Sequence, residues 1–232
     1  MQRPKQARLR YRVKAHHLPL FLASITSVGL LYVTRPYKDV LTKISFATAY
    51  PALFLLAVTL LIGPWNVFRR RRNPVSGDLR RDVGIWAGIL GMIHTMIGQN
   101  VHMRGRPWLY YVYDAKSHHT FPLRHDLFGI TNFTGLFGFM LLTVLLATSN
   151  DYSLRAMGTP RWKQLQRWNY VVFSLVAIHT FGFQSIEKQK TPFVVFAIII
   201  IAIGLIFQIV GFYLRRKTRI LPSFDPVARF NA

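Results

Sequence analysis

Six apolar stretches, each 16 to 24 residues long and separated by short polar connections, dominate this 232-residue chain. They run over Leu18 to Val33, Ile44 to Val67, Val83 to Val101, Leu127 to Thr148, Gln166 to Phe183 and Phe193 to Leu214. A helix needs about 20 apolar residues to cross a hydrocarbon layer roughly 30 Å thick. In that layer every backbone polar group must be satisfied within its own segment, which leaves helices as the solution for runs of this length. The expected fold is therefore all-α, a bundle of six transmembrane helices forming one membrane domain over residues 1–232. A basic tail is expected at 1–17 and another at 215–232. The first stretch is short and follows basic residues, but no small-residue cleavage pattern follows it, so an uncleaved anchor is expected.

The charges say which way such a bundle faces. Lys and Arg number 30 against 8 Asp and Glu, and the bases fall between the apolar runs. Counted on alternate sides, 21 lie with the two termini and 9 on the opposite side. By the positive-inside rule both termini are then cytoplasmic. A net charge of +22 on a soluble chain would point to nucleic acid. Here topology accounts for it, and no nucleic-acid partner is expected. The partners read from this pattern are membrane lipid and other membrane components.

Two of the apolar stretches carry a histidine in their interior. His94 lies 13 residues beyond Arg81, and His179 lies 12 beyond Arg167. At 1.5 Å per residue both imidazoles stand about 18–20 Å from a basic edge. Since the two edges face the same side, the histidines share one depth. An ionisable group there is costly and marks a functional site. Small residues lie near both: Gly91 and Gly98 on one helix and Gly182 on the other, clearing a face for a flat macrocycle. Two imidazoles from facing helices can fill both axial positions of a b-type haem. The alternative is that each histidine hydrogen-bonds a neighbouring helix and the glycines, like those of the Gly84-to-Gly88 GxxxG, serve close packing. With no cysteine in the chain, disulfides, iron–sulfur clusters and covalently attached c-type haem are excluded.

The residues also resemble those of the ferric reductase-like transmembrane domain family, which includes the haem-binding membrane subunit of bacterial methionine-sulfoxide reductase. The resemblance covers roughly residues 45–185. It rests on Arg72-Asn73-Pro74, Leu79-Arg80-Arg81-Asp82 and His94, then on Ala147-Thr148-Ser149, Arg155, Gly158, Arg161-Trp162-Lys163, Tyr170 and His179. It implies that His94 and His179 are axial ligands of haem iron and that the chain moves electrons across a membrane, here a bacterial inner (cytoplasmic) membrane. Many members carry a further histidine where this chain has Leu165-Gln166-Arg167. Glutamine is a poor iron ligand, so one haem, toward the outer face, is expected.

Other polar residues admit two readings each. Arg104, Arg106 and Arg124 in the outer connection could contact haem propionates, while His102, His118, His119 and His125 could hold a metal or belong to an ordinary polar loop. Gln99, Asn100, Asn132 and Gln184 could line a quinone pocket or bond between helices. His16 and His17 are expected at the membrane surface, and Asp82 and Asp126 as charge partners of helix N-termini. Only 18 residues follow Leu214, and no GxGxxG follows a strand. A flavin or nicotinamide module is not expected. Electrons would enter from a separate redox protein or from membrane quinol, with the chain as an oxidoreductase subunit. The rival expectation is a haem-free structural or assembly subunit of a larger membrane complex.

Overall fold

The computed structural model describes residues 5–69, 78–103, 105–115, 119–188 and 190–220. Among them the chain is helical, with no strand beyond one isolated bridge between Val112 and Leu123 in the long connection. The helices are α1 (Lys5–Arg12), α2 (Leu18–Thr34), α3 (Val40–Phe68), α4 (Asp78–Gly98), α5 (Leu127–Ala147), α6 (Asp151–Gln166), α7 (Asn169–Ile186) and α8 (Thr191–Ile220). Four stretches are long and apolar enough to cross a membrane: Gln6–Thr34, α3, α5 and Thr191–Leu214. The two histidine-bearing helices are more polar or shorter. Helix α4 opens on Asp78, Arg80, Arg81 and Asp82, and α7 has 18 residues.

Helix α3 is the centre. It packs on α2, α4 and α8, while α5 pairs with α7. The apolar core joins Leu53, Leu56 and Leu60 of α3 to Val83, Ala87 and Leu90 of α4, Val172 and Phe173 of α7, and Ala197, Ile200 and Ile201 of α8. Ile198, Ile199, Ile206 and Ile209 of α8, like Leu22, Ile25 and Leu30 of α2, are exposed. Such a ring of outward apolar side chains suits lipid as solvent.

Helix ends and breaks follow local chemistry. Asp39, Asp126 and Asn150 cap α3, α5 and α6 by accepting from the backbone N–H of Thr42, Gly129 and Ser153. Asp126 thus fulfils its expected role. Pro64 lies inside α3 and lacks the N–H that would bond Leu60 O. Gln208 of α8 supplies that donor at 2.6 Å. Gly211 faces Pro64, where an added Cβ would stand 2.9 Å from the proline ring.

Two segments differ from the expectation. Residues Lys5 to His17, read as a basic tail, form α1 and a π-helical stretch (Val13–His17) that run into α2 and pack on α4. Asp82 is fully buried there. Arg12 pairs with it through Nε and Nη2, and His16 Nδ1 and His17 Nε2 lie 2.7 and 3.3 Å from its oxygens. Arg8 pairs with Asp78 at 2.6 Å one turn away. His16 and His17 are thus partly buried carboxylate partners, because Asp82 needs donors once removed from water. Second, the connection expected before the fifth stretch is helix α6, bent at Gly158, whose φ of 73° favours glycine. A turn at Arg167 and Trp168 then delays α7 to Asn169, three residues beyond the expected start.

Candidate cofactor-binding site

A cavity of about 1430 Å³, counting its mouth, lies between α3, α4, α5 and α7. His94 and His179 both line it. Their ring centroids are 6.1 Å apart, with ring planes 79° apart. The depth match expected from Arg81 and Arg167 thus corresponds to a direct meeting of the two imidazoles.

Each ring is held the same way. His94 Nδ1 lies 2.9 Å from Ser45 O of α3, and His179 Nδ1 lies 2.9 Å from Thr131 O of α5. A carbonyl only accepts, so each Nδ1 carries the proton and each Nε2 keeps a lone pair. Both carbonyls also accept from a threonine one turn on: Ser45 O from Thr48 and Thr131 O from Thr134. Among the described residues neither Nε2 has a hydrogen-bond partner in the protein. Bonding Nδ1–H to a carbonyl fixes ring orientation and makes Nε2 a better metal donor.

Small residues make room for these rings. Gly135 of α5 faces His179, where a Cβ would stand 2.5 Å from Nδ1. Gly91 and Gly98 line the cavity as expected on α4; a Cβ at Gly91 would meet Leu142 at 2.7 Å, and one at Gly98 would meet Ser45 Oγ at 3.3 Å. Gly182 faces Thr131 of α5 and is not among the lining residues. It permits the close α5–α7 approach that puts Thr131 O within reach of His179. The remaining wall is largely apolar and mixes small residues, Ala49, Ala52, Ala87 and Gly138, with larger ones such as Leu53, Leu56, Phe139 and Leu142.

The mouth is polar. His102 Nε2 pairs with Glu187 Oε1 at 3.2 Å, and its ring stacks on Phe183, which in turn touches His179. Tyr110 OH donates to Gly98 O and accepts from His102 N–H, both at 2.8 Å, and Gln99 donates to Tyr111 OH at 2.5 Å. Burial pushes both tyrosine hydroxyls up. Gln99, Asn132 and Gln184 line the cavity. Asn132 donates back to Phe128 O, and Gln184 donates to Phe193 O while its own Oε1 is buried without a partner.

The arginines stand elsewhere. Arg106 pairs with Asp114 at 3.5 Å and Arg124 with Asp126 at 2.5 Å, and neither lines the cavity. Arg104 and His118 lie outside the described residues, as does the Arg72-Asn73-Pro74 run. His119 and His125 gather around Tyr113, and no group of three metal-binding side chains occurs among the described residues. Gln166 donates to Leu145 O and Thr148 Oγ1 at the far end of α5.

The donor set fits a haem: two imidazoles with Nδ1 held by carbonyls line one largely apolar cavity, and His94 and His179 would be the residues to hold the iron.

The class so defined is an all-helical membrane protein with two neighbouring, backbone-anchored histidines in a cavity between its helices. No family model matches the chain. It is similar to the protein-methionine-sulfoxide reductase heme-binding subunit MsrQ of Polaromonas naphthalenivorans, at 24% identity over 162 residues that cover 66% of this chain and 64% of that protein. It is also similar to the magnetosome protein MamZ of Magnetospirillum gryphiswaldense, at 37% identity over 67 residues that cover 29% of this chain and 10% of the relative. The chain therefore spans less than two thirds of the length of either.

Proposed function

We propose that this chain binds one b-type haem between His94 and His179 and serves as an electron-transfer subunit of a membrane oxidoreductase. The observation that carries the reading is the close histidine pair in one cavity, each ring with Nδ1 on a helix carbonyl and Nε2 without a protein partner among the described residues. The similarity to a heme-binding reductase subunit supports the same reading.

Bound there, haem would supply one-electron redox chemistry at a potential set by two imidazole ligands and their burial. The chain's own residues do the rest. Ser45 O and Thr131 O keep both rings in the tautomer that presents Nε2. Gly91, Gly98 and Gly135 keep side chains out of the space around the rings, and Leu53, Leu56, Leu142 and Val176 exclude water from the inner end. The His102–Glu187 pair makes the mouth the polar end.

In this reading α4 and α7 cross the membrane with the four longer apolar helices, giving six spans with both termini cytoplasmic, in a bacterial inner membrane. The excess of Arg and Lys on the terminal side supports that orientation. Electrons come from a quinol or a separate redox protein and leave to a partner reductase, as the relative's description as a subunit suggests.

The test is spectroscopic. Full chain expressed with ample haem and purified in detergent is expected to give a b-type reduced-minus-oxidised spectrum, lost in both His94→Ala and His179→Ala. A folded but colourless wild-type protein would refute the proposal and favour the haem-free structural subunit.

A further inference from the structure

A second hollow lies on the opposite side of α3, between α2, α3 and α8. It encloses about 1080 Å³ with its mouth, and its wall is almost wholly apolar, with Leu31, Pro51, Phe54 and Phe196 among the lining residues. Two features set it apart from an ordinary gap between helices. Ser24 of α2 lines it with only 4% of its surface exposed, and its Oγ has no hydrogen-bond partner among the described residues. Ser24, Ser27 and Leu31 follow one another at helical spacing along the wall, and the next step on that face is Arg35.

Arg35 is 9% exposed and makes no ion pair or hydrogen bond among the described residues. Its guanidinium lies over Phe193 at 3.3 Å and over Phe46 at 4.5 Å from the ring centroids. Phe193 is itself part of the hollow's wall. Ring faces attract a cation, but they do not supply the fork of acceptors that a guanidinium binds best. The nearby acids are engaged elsewhere: Asp39 caps α3 through Thr42, and Glu187 pairs with His102. Lys38, Lys188 and Lys190 add positive charge at the same ends of the helices.

We infer that this hollow is a binding site for an anionic phospholipid, one acyl chain lying against α2, α3 and α8 and the phosphate on Arg35. Phe54 and Phe196 of the apolar wall are exposed, which leaves apolar surface for an acyl chain, and the unpaired guanidinium matches a phosphate in charge and geometry. The site shares Tyr50 with the histidine cavity, so it borders that cavity without being part of it.

Native mass spectrometry of the full chain in detergent tests this, using phosphatidylglycerol and phosphatidylcholine with identical acyl chains as probes. Phosphatidylglycerol is expected to form a one-to-one adduct at a concentration about fivefold lower than phosphatidylcholine. Arg35→Gln should abolish that preference, whereas Lys38→Gln, an exposed cation at the same end of the bundle, should keep it. Excess inorganic phosphate should not displace the lipid, because the chain contributes most of the buried surface. Equal binding of the two lipids by wild type, preference retained in Arg35→Gln, displacement by free phosphate, or tighter binding of an uncharged prenylated quinone would each overturn the inference. None of these readouts depends on haem, so the result stands apart from that of the spectrum.

Discussion

Gly135→Ala isolates the anchoring of a single ligand. The added methyl would stand 2.5 Å from His179 Nδ1 and 2.7 Å from its Cε1. Non-bonded carbon contacts settle near 3.5–4.0 Å, so the ring must retreat by roughly 1 Å. The bond from Nδ1 to Thr131 O, 2.9 Å long, spans the same helix face one turn earlier and would stretch past the ~3.2 Å hydrogen-bond limit. Losing such a bond costs about 0.5–1.5 kcal/mol of stability. Loss of an outer-shell partner lowers metal affinity by about 10–100-fold. The control is Gly84→Ala on α4, outside the cavity wall, where the new methyl would make an ordinary 3.5 Å contact with Thr59. Haem titration of the purified apoprotein, read by the Soret band, should show the weakened affinity in Gly135→Ala alone, with the melting temperature recorded for both. Wild-type haem affinity in Gly135→Ala, or equal impairment in Gly84→Ala, would refute this anchoring role.

Two further outcomes follow from the charged network at the other end of the bundle. Asp82→Asn removes the buried carboxylate that Arg12, His16 and His17 share, leaving Arg12 a 4.0 Å contact with Asp78; breaking a buried pair costs about 3–5 kcal/mol. Limited trypsin digestion should then cleave around Arg10 to Lys14 at least about tenfold faster than in wild type, and an unchanged rate would contradict the packing of α1 on α4. Hydrogen bonds from Arg8 and Arg81 hold the Asp78 and Asp151 carboxyls below their ordinary value of 3.8. A lowered folded value means stability that is present above the ordinary value and lost as pH falls through the folded one. The melting temperature should therefore fall below about pH 4. The exposed Arg8–Asp78 pair contributes about 0.2–1 kcal/mol, so Arg8→Gln should shrink that acid limb, and an identical limb in the variant would sink the assignment.

The apolar stretches and the depth of His94 and His179 were legible because length and helical rise are local properties of a sequence. Their anchors were not. Ser45 and Thr131 act through backbone carbonyls, which every residue carries, and nothing in the side chains marks these two. Gly135 could have been suspected from the Gly135-to-Gly138 spacing on α5, but the contact that gives it meaning comes from α7. The roles of His16 and His17 were hidden because their partner Asp82 is 66 and 65 residues away in sequence. Helix α6 was masked by the basic residues that made Arg155 to Arg167 look like a plain connection, and Gly182 looked like a cavity residue because helical spacing alone does not say which neighbour a face meets.

The paired contacts of Arg8 with Asp78 and Arg12 with Asp82 share one sequence offset of 70 residues. Helices α1 and α4 therefore lie alongside each other like the scales of a vernier, and a slip of one turn would break one of the two matches. During synthesis the first segment must wait, with its arginines solvated, until the ribosome has added those residues, roughly 4–14 s at ordinary elongation rates. Only when α4 arrives is the level of α1 set against the helix that carries His94.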